Sequence, residues 1–153
     1  MGTTRIWIAI AACALSYLSG PPPVTARSEP TVDELKARVG STNIPDRPPL
    51  CIRISERQLE EAEKRYASGD IDKAKASLTD VAAFAELARD YSIQAHKHEK
   101  QAEIALRKMT RKLTDLKHTV SHDDQPDVQA TIDRLQKVRD DLLAAMFPKG
   151  SKK

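Results

Sequence analysis

The stretch DIDKAKASLTDVAAFAELARDYSIQAHKHEKQAEIALRKMTRKLTDLKHTV, residues 70–120, contains neither glycine nor proline. Most of its residues are strong helix formers, so the sequence predicts one continuous helix over this range. At 1.5 Å per residue such a helix is about 75 Å long. Every other element would have to pack along it.

Apolar residues in this stretch keep a seven-residue period at two positions, which is typical of a coiled-coil seam. One position holds Leu78, Ala85, Ser92, Glu99, Leu106, Leu113 and Val120, and the other holds Val81, Ala88, Ala95, Ala102, Met109 and Leu116. The seam predicts partner helices along the rod.

Shorter helices are predicted on both sides of the long one. Ser55 is a good N-terminal cap for a helix over residues 55–68, and Gly69 ends it. After the turn SHDDQPD, Pro126 lies in the first turn of a last helix over residues 126–147.

The charge distribution predicts how the last helix folds back. Residues 96–117 hold seven bases and three acids, whereas residues 123–141 hold six acids and three bases. Opposite charges select orientation, so we expect an antiparallel hairpin. The predicted fold class is all-α: a long central coiled-coil-like helix with shorter antiparallel flanking helices, forming a helical hairpin or three-helix bundle.

Residues 27–54 are predicted to be a short helix followed by a proline-rich extended linker. Thr31 and Glu34 have the spacing of a capping box, and Gly40 closes the helix that it opens. Three prolines in NIPDRPPLCIRI, residues 43–54, favour an extended chain. After the helical domain of residues 55–147, PKGSKK, residues 148–153, is predicted to be a disordered basic tail.

Residues 1–26 have the pattern of a secretory signal peptide. Arg5 precedes an apolar run of 13 residues, Ile6 to Leu18, which is too short to span a bilayer as a helix. Small residues then lead to Ala26. We expect cleavage after Ala26 and export to the periplasm or the extracellular space, with no transmembrane segment in the mature chain.

A competing interpretation places a lipid anchor in the same segment. Ile10-Ala11-Ala12-Cys13 resembles a bacterial lipobox, which would make Cys13 a lipidated first residue. The apolar run continues past Cys13, whereas a lipobox normally closes it, so cleavage after Ala26 is favoured.

The numbers of cysteines and charged residues exclude an intrachain disulfide and argue against one class of function. After removal of the leader, Cys51 is the sole thiol, so no disulfide can form within the mature chain. We interpret Cys51 as a small buried apolar residue, the alternatives being an intermolecular disulfide or a reactive thiol. The mature chain holds 24 basic and 22 acidic residues, a balance that argues against a dedicated nucleic-acid binder.

The predicted helix lengths leave residues 85–97 without a partner helix, although the apolar face is widest there. Exposed patches of this size usually find cover, so we favour burial by residues 42–54. The alternative is that a second copy or another protein binds the patch. In that case the contact residues are Phe84, Leu87, Ala88, Tyr91 and Ala95.

The corner GDIDKA, residues 69–74, joins two predicted helices. Its surroundings resemble the middle of a tetratricopeptide repeat, through Ala62, Tyr66, Gly69, Asp70, Ala74 and Leu78. The resemblance covers residues 58–78 and implies peptide or partner binding. Gln58 stands where the repeat has tryptophan, and no second copy follows, which favours a simple hairpin corner capped by Gly69.

Two histidines near the end of the long helix are candidate metal ligands. His118 and His122 are four residues apart and Asp123 follows, which could gather two imidazoles and a carboxylate around one cation. The alternative is a solvated polar turn, because the helix ends there. No cofactor is otherwise predicted.

Four bases form a stripe on the outer face of the long helix. They are Arg107, Lys108, Arg111 and Lys112. We interpret the stripe as a solvated flank, the alternative being weak contact with anionic lipid, peptidoglycan or an acidic protein. No interleaved aromatic residues favour nucleic acid.

These patterns favour a non-catalytic exported scaffold or adaptor that mediates protein–protein interaction in a cell envelope, with another protein or a second copy as partner. The alternative is a periplasmic stress- or metal-responsive binding protein that uses His118 and His122. Ser121-His122-Asp123 contains triad residue types, but sequence neighbours cannot adopt the relay geometry, so no enzyme is predicted.

Secretion of the full chain by a bacterium is expected to yield a protein that starts at Arg27. Replacing Ala26 by Phe should block cleavage, because the site needs a small residue. Intact mass spectrometry measures the starting residue. A lipid-modified product beginning at Cys13 would establish the lipobox interpretation instead.

Overall fold

A computed structural model of the chain describes residues 29–148. Five helices occur in this range, and the predicted all-α class is confirmed. They are α1 (Val32–Ser41), α2 (Arg47–Ser68), α3 (Ile71–Ala95), α4 (Glu99–Thr119) and α5 (Gln125–Met146), with a 3₁₀ turn at Ile44–Asp46.

Several expectations fall on residues beyond this range. The signal peptide, Cys13 and residues 149–153 of the basic tail lie outside the described residues. Of the described helices, none has the length and apolar character that a bilayer crossing requires.

Helices α2 to α5 form a four-helix bundle around one core. All four contribute buried side chains, for example Leu59, Val81, Leu106 and Leu135. α2 and α5 each pack on α3 and α4 but, within the described chain, not on each other, so they occupy opposite corners.

The predicted antiparallel pairing of α4 with α5 is confirmed. Arg139 Nε lies 2.7 Å from Glu103 Oε1, and Lys117 Nζ donates to Gln129 Oε1 at 2.8 Å, so residue numbers rise on one helix as they fall on the other. The expected contact of α4 bases with α5 acids is not found among the described residues. The ion pair found between these helices has its base on α5.

The acids of α5 instead pair with bases of α3. Lys75 Nζ lies 2.8 Å from Asp127 Oδ2, and Arg89 Nη1 lies 2.7 Å from Asp141 Oδ2. Residue numbers rise together in these pairs, so α3 and α5 run parallel. Because α2 is antiparallel to α3, and α4 is antiparallel to α5, α2 also runs parallel to α4.

The predicted continuous helix over residues 70–120 is wrong. α3 ends at Ala95 and α4 begins at Glu99, and between them His96 and His98 have φ angles of 49° and 69°. Three residues therefore reverse the chain, and both halves join the same bundle. Most predicted seam residues nevertheless face this core on both sides of the break.

A Schellman motif built on histidine ends α3. The N–H of His96 donates to the Ile93 carbonyl at 3.3 Å, and the N–H of Lys97 donates to the Ser92 carbonyl at 3.1 Å. The same pair of bonds ends α2 at Gly69, where φ is 79°, so the predicted hairpin corner is confirmed. Glycine is the usual residue at this position because it lacks a Cβ. Residue 96 is a histidine, so the usual sequence signal of such a turn is missing there.

The proline-rich linker is helical rather than extended. α2 begins at Arg47, which places Pro48 and Pro49 in its first turn, where the missing N–H groups have no intrahelical partner to lose. Ser55, predicted to cap this helix, lies in its middle and donates to the Val81 carbonyl of α3 at 2.6 Å.

A second, smaller core covers the apolar face of α3 that the predicted helix lengths left open. It consists of Leu35, Val39, Cys51, Ile54 and Ala88, from α1, α2 and α3. Phe84 and Tyr91 pack against its edge. The expectation that residues 42–54 cover this face is confirmed, and α1 adds to the cover.

The turn at His96 provides a stability test. A non-glycine residue in the left-handed region costs about 1–2 kcal/mol, so His96→Gly should raise the free energy of unfolding by about 0.5–1 kcal/mol after the added chain entropy is subtracted. Gly69→Ala should lower it by about 1 kcal/mol through the backbone alone, since nothing lies within 4 Å of the added Cβ. Urea denaturation measures both, and a destabilised His96→Gly protein would contradict the assignment.

Cys51 provides a pH test of the second core. Its side chain is fully buried, which confirms its interpretation as a small apolar residue, and burial raises the pKa of the thiol from 9.0 to about 11. The protonated thiol therefore stabilises the fold fully below pH 9, and this contribution is lost as the pH rises through 11. Urea denaturation across this window should show a steeper loss of stability for the natural protein than for Cys51→Ala. Equal slopes would contradict the burial of the thiol.

Candidate functional site

The predicted contact surface on α3 is already occupied within the chain. Ala88 is fully buried, and Phe84 and Tyr91 are half-buried against the second core. The guanidinium carbon of Arg47 also lies 5.1 Å from the centre of the Tyr91 ring. Leu87 is 37% exposed, and Ala95 is half-buried beside the turn. Most of this face is therefore covered by α1 and the start of α2, as the favoured interpretation expects, and the alternative of an open contact surface is not supported.

The predicted metal ligands do not converge. His118 lies in the last turn of α4, but the backbone of Val120 is extended, so His122 does not continue the same helix face. His118, His122 and Asp123 are all exposed. Within residues 29–148, no three His, Cys, Asp or Glu side chains lie close enough to hold an ion.

All four bases of the predicted stripe are exposed on α4. Arg107 lies 3.8 Å from Glu103 of its own helix, while Lys108, Arg111 and Lys112 make no ion pair in the described part of the chain. Lys108 and Lys112 line a cavity between α4 and α2. Part of the stripe therefore forms one rim of a groove.

The parallel helices α2 and α4 leave this groove, the α2–α4 groove, along the surface of the bundle. Three open cavities of about 210, 280 and 310 Å³ follow one another along it. The first is lined by Ile52 and Ala102, the second by Leu59 and Met109, and the third by Tyr66 and Leu116. These residues are seven apart on each helix, so the cavities repeat about every 10.5 Å.

The α2–α4 groove differs from the other seams of the bundle in its polar contacts. Side-chain hydrogen bonds or ion pairs cross the α2–α3, α3–α5 and α4–α5 seams. None joins α2 to α4 among the residues that the structure describes. The packing that holds these two helices together is apolar.

The two rims of the groove carry opposite charges. The α2 rim has Glu56, Glu60 and Glu63, and the α4 rim has Lys108 and Lys112. Between them the floor is apolar and nearly closed, since Leu59 and Met109 are each 1% exposed. A ligand therefore meets an apolar floor in the second cavity and opposite charges on its two sides.

The third cavity has a buried polar wall. Asp124 is 7% exposed, accepts a hydrogen bond from the Ser121 hydroxyl at 2.6 Å and lies 3.2 Å from Lys75 Nζ. The Ser121 bond and then Lys75 lower the pKa of Asp124, so the wall is anionic at neutral pH.

Tyr66 places a hydroxyl in the same wall. Burial, with the negative charges of Asp124 and Asp127, raises the pKa of the Tyr66 hydroxyl. The hydroxyl oxygen is buried and has no hydrogen-bond partner among the described residues. A buried hydroxyl of this kind favours a bound group that completes its hydrogen bonding.

Sequence reasoning missed the groove because it began α2 at Ser55 and so left Ile52 outside the helix. The seven-residue spacing of Ile52, Leu59 and Tyr66 was the available signal. The charge pattern was a second signal, with acids beside these three residues on α2 and bases on α4.

No protein-family model, curated protein or solved structure matches this chain. The likeness of residues 58–78 to a tetratricopeptide repeat thus stands on those residues alone. What the structure shows there is an antiparallel helix pair joined at Gly69.

Proposed function

We propose that the chain is a non-catalytic interaction module of the cell envelope that binds one helix of a partner protein in the α2–α4 groove. The export part of the proposal is supported by the signal-peptide pattern of residues 1–26. The binding part is supported by the shape and charge of the groove.

The observation that carries the proposal is the row of three cavities spaced by one heptad. A helix presents side chains on one face every two turns, so one docked helix can place a side chain in each cavity. Helix-in-groove recognition uses anchors with this kind of spacing. From Ala102 in the first cavity to Leu116 in the third, α4 rises by 14 residue steps, about 21 Å.

The rims favour an amphipathic helix over an irregular peptide. Charges on the two flanks of such a helix meet Glu56 and Glu60 on one side and Lys108 and Lys112 on the other. Opposite charges facing across an interface fix the register and exclude wrong partners more than they add affinity. A partner helix with bases on one flank and acids on the other satisfies both rims.

Site-specific photo-crosslinking in the native cells tests the proposal. A photoreactive residue at Gln101, which is exposed beside the first cavity, should give an adduct with one protein, whereas the same residue at Lys137 on α5 should not. Adding Lys112→Glu should reduce the Gln101 adduct about fivefold, because it places like charges against the acidic flank of the partner.

Lys137→Glu is the matched control, because Lys137 is equally exposed and lies on α5, away from α2. It should leave the Gln101 adduct unchanged. An adduct that Lys112→Glu does not reduce contradicts binding in the groove. An adduct with the mass of two copies of this chain would show that the groove binds a second copy and not another protein.

A further inference from the structure

The two ends of the α2–α4 groove differ in chemistry. The first cavity is lined by Pro48, Pro49, Ile52 and Ala102, with His98 and Gln101 at its edge, so its wall is almost wholly apolar. The third cavity contains two carboxylates, Glu63 and Asp124, together with the buried hydroxyl of Tyr66. An anchor side chain that fits the first cavity therefore does not fit the third.

The middle of the groove is apolar at its floor. Leu59 and Met109 line the second cavity and are nearly inaccessible, and its charges lie on the rims. A lysine aimed into this cavity would meet Lys108 and Lys112 as well as two glutamates of the α2 rim, so it would lose water without gaining a net opposite charge, and that desolvation opposes binding. An aliphatic side chain fills the cavity without this penalty.

The third cavity offers what a basic side chain needs. The stem of a lysine or arginine can lie over Leu116 and Val120 while its charged head reaches the carboxylates. Asp124 already has Lys75 on one side, but Glu63 makes no ion pair within residues 29–148. Glu63 thus supplies an unmatched negative charge at the mouth.

We infer that the partner helix carries two large apolar side chains seven residues apart and a lysine or arginine seven residues further along the same face. The apolar pair fills the first and second cavities, and the base enters the third cavity beside Glu63, Tyr66 and Asp124. This inference rests on the proposed function, because it specifies the helix that the α2–α4 groove binds.

Four synthetic helices of about 21 residues, long enough to span the three cavities, test the order of anchors. All share one host sequence with bases on one flank and acids on the other. The end-lysine probe has Leu, Leu and Lys at the three anchor positions. Its reversed sequence tests the opposite chain direction, the mid-lysine probe has Leu, Lys and Leu, and the all-leucine probe has Leu throughout.

Fluorescence anisotropy with the mature protein measures the dissociation constants. The end-lysine probe or its reversed sequence, whichever places the lysine in the third cavity, should bind about tenfold tighter than the mid-lysine probe, whose lysine enters the second cavity. Glu63→Gln should weaken that probe about threefold to tenfold and leave the all-leucine probe unchanged. Asp140→Asn, on the opposite corner from α2, should change neither.

The possible results separate the inference from the proposed function. Equal binding of end-lysine and mid-lysine probes, still weakened by Lys112→Glu, would overturn the order of anchors while leaving the groove as the binding site. Loss of affinity for the all-leucine probe on Glu63→Gln would also overturn the role of Glu63. Failure of all four probes to bind would overturn the inference and the groove together.

Discussion

The left-handed backbone at His96 is the constraint on which the rest of the structure depends. Without the reversal at residues 96–98, α4 would continue along the axis of α3 and could not enter a common core with α2. With it, the α2–α3 and α4–α5 hairpins close on each other. The reversal also makes α2 and α4 parallel neighbours that no short loop connects, so their spacing is set through α3 and α5.

The seams between the helices of the bundle differ in their polar contacts. Polar pairs such as Arg89–Asp141 and Arg139–Glu103 hold α5 against both α3 and α4, whereas no such pair joins α2 to α4 within residues 29–148. Because Leu59 and Met109 are already nearly inaccessible, a docked helix adds little apolar burial at the floor. In the complex that we propose, affinity comes from filling the cavities and matching the rims, which suits selective, reversible association.

Local signals in the sequence were sufficient for much of the fold. The Thr31–Glu34 capping box forms with both of its hydrogen bonds, Gly69 is left-handed, and the periodic residues face the core. Each of the two wrong predictions about helix boundaries has its own physical cause. His96 adopts the left-handed conformation that usually requires glycine, and Pro48 and Pro49 lie in the first turn of a helix, the one part of a helix that accepts proline readily. The heptad of Ile52, Leu59 and Tyr66 was visible in the sequence, but its pairing with α4 depends on the turn at residues 96–98, which was not predicted.

The order of the hairpins also has a kinetic consequence. Each helix of the bundle packs against its neighbour in sequence, through α2 on α3 and α4 on α5, with corners of a few residues. Closing such short loops costs little chain entropy, and proteins dominated by local contacts reach the native state in microseconds to milliseconds. Each hairpin can therefore assemble before the other is complete, and we expect docking of the two halves to be the late event of folding.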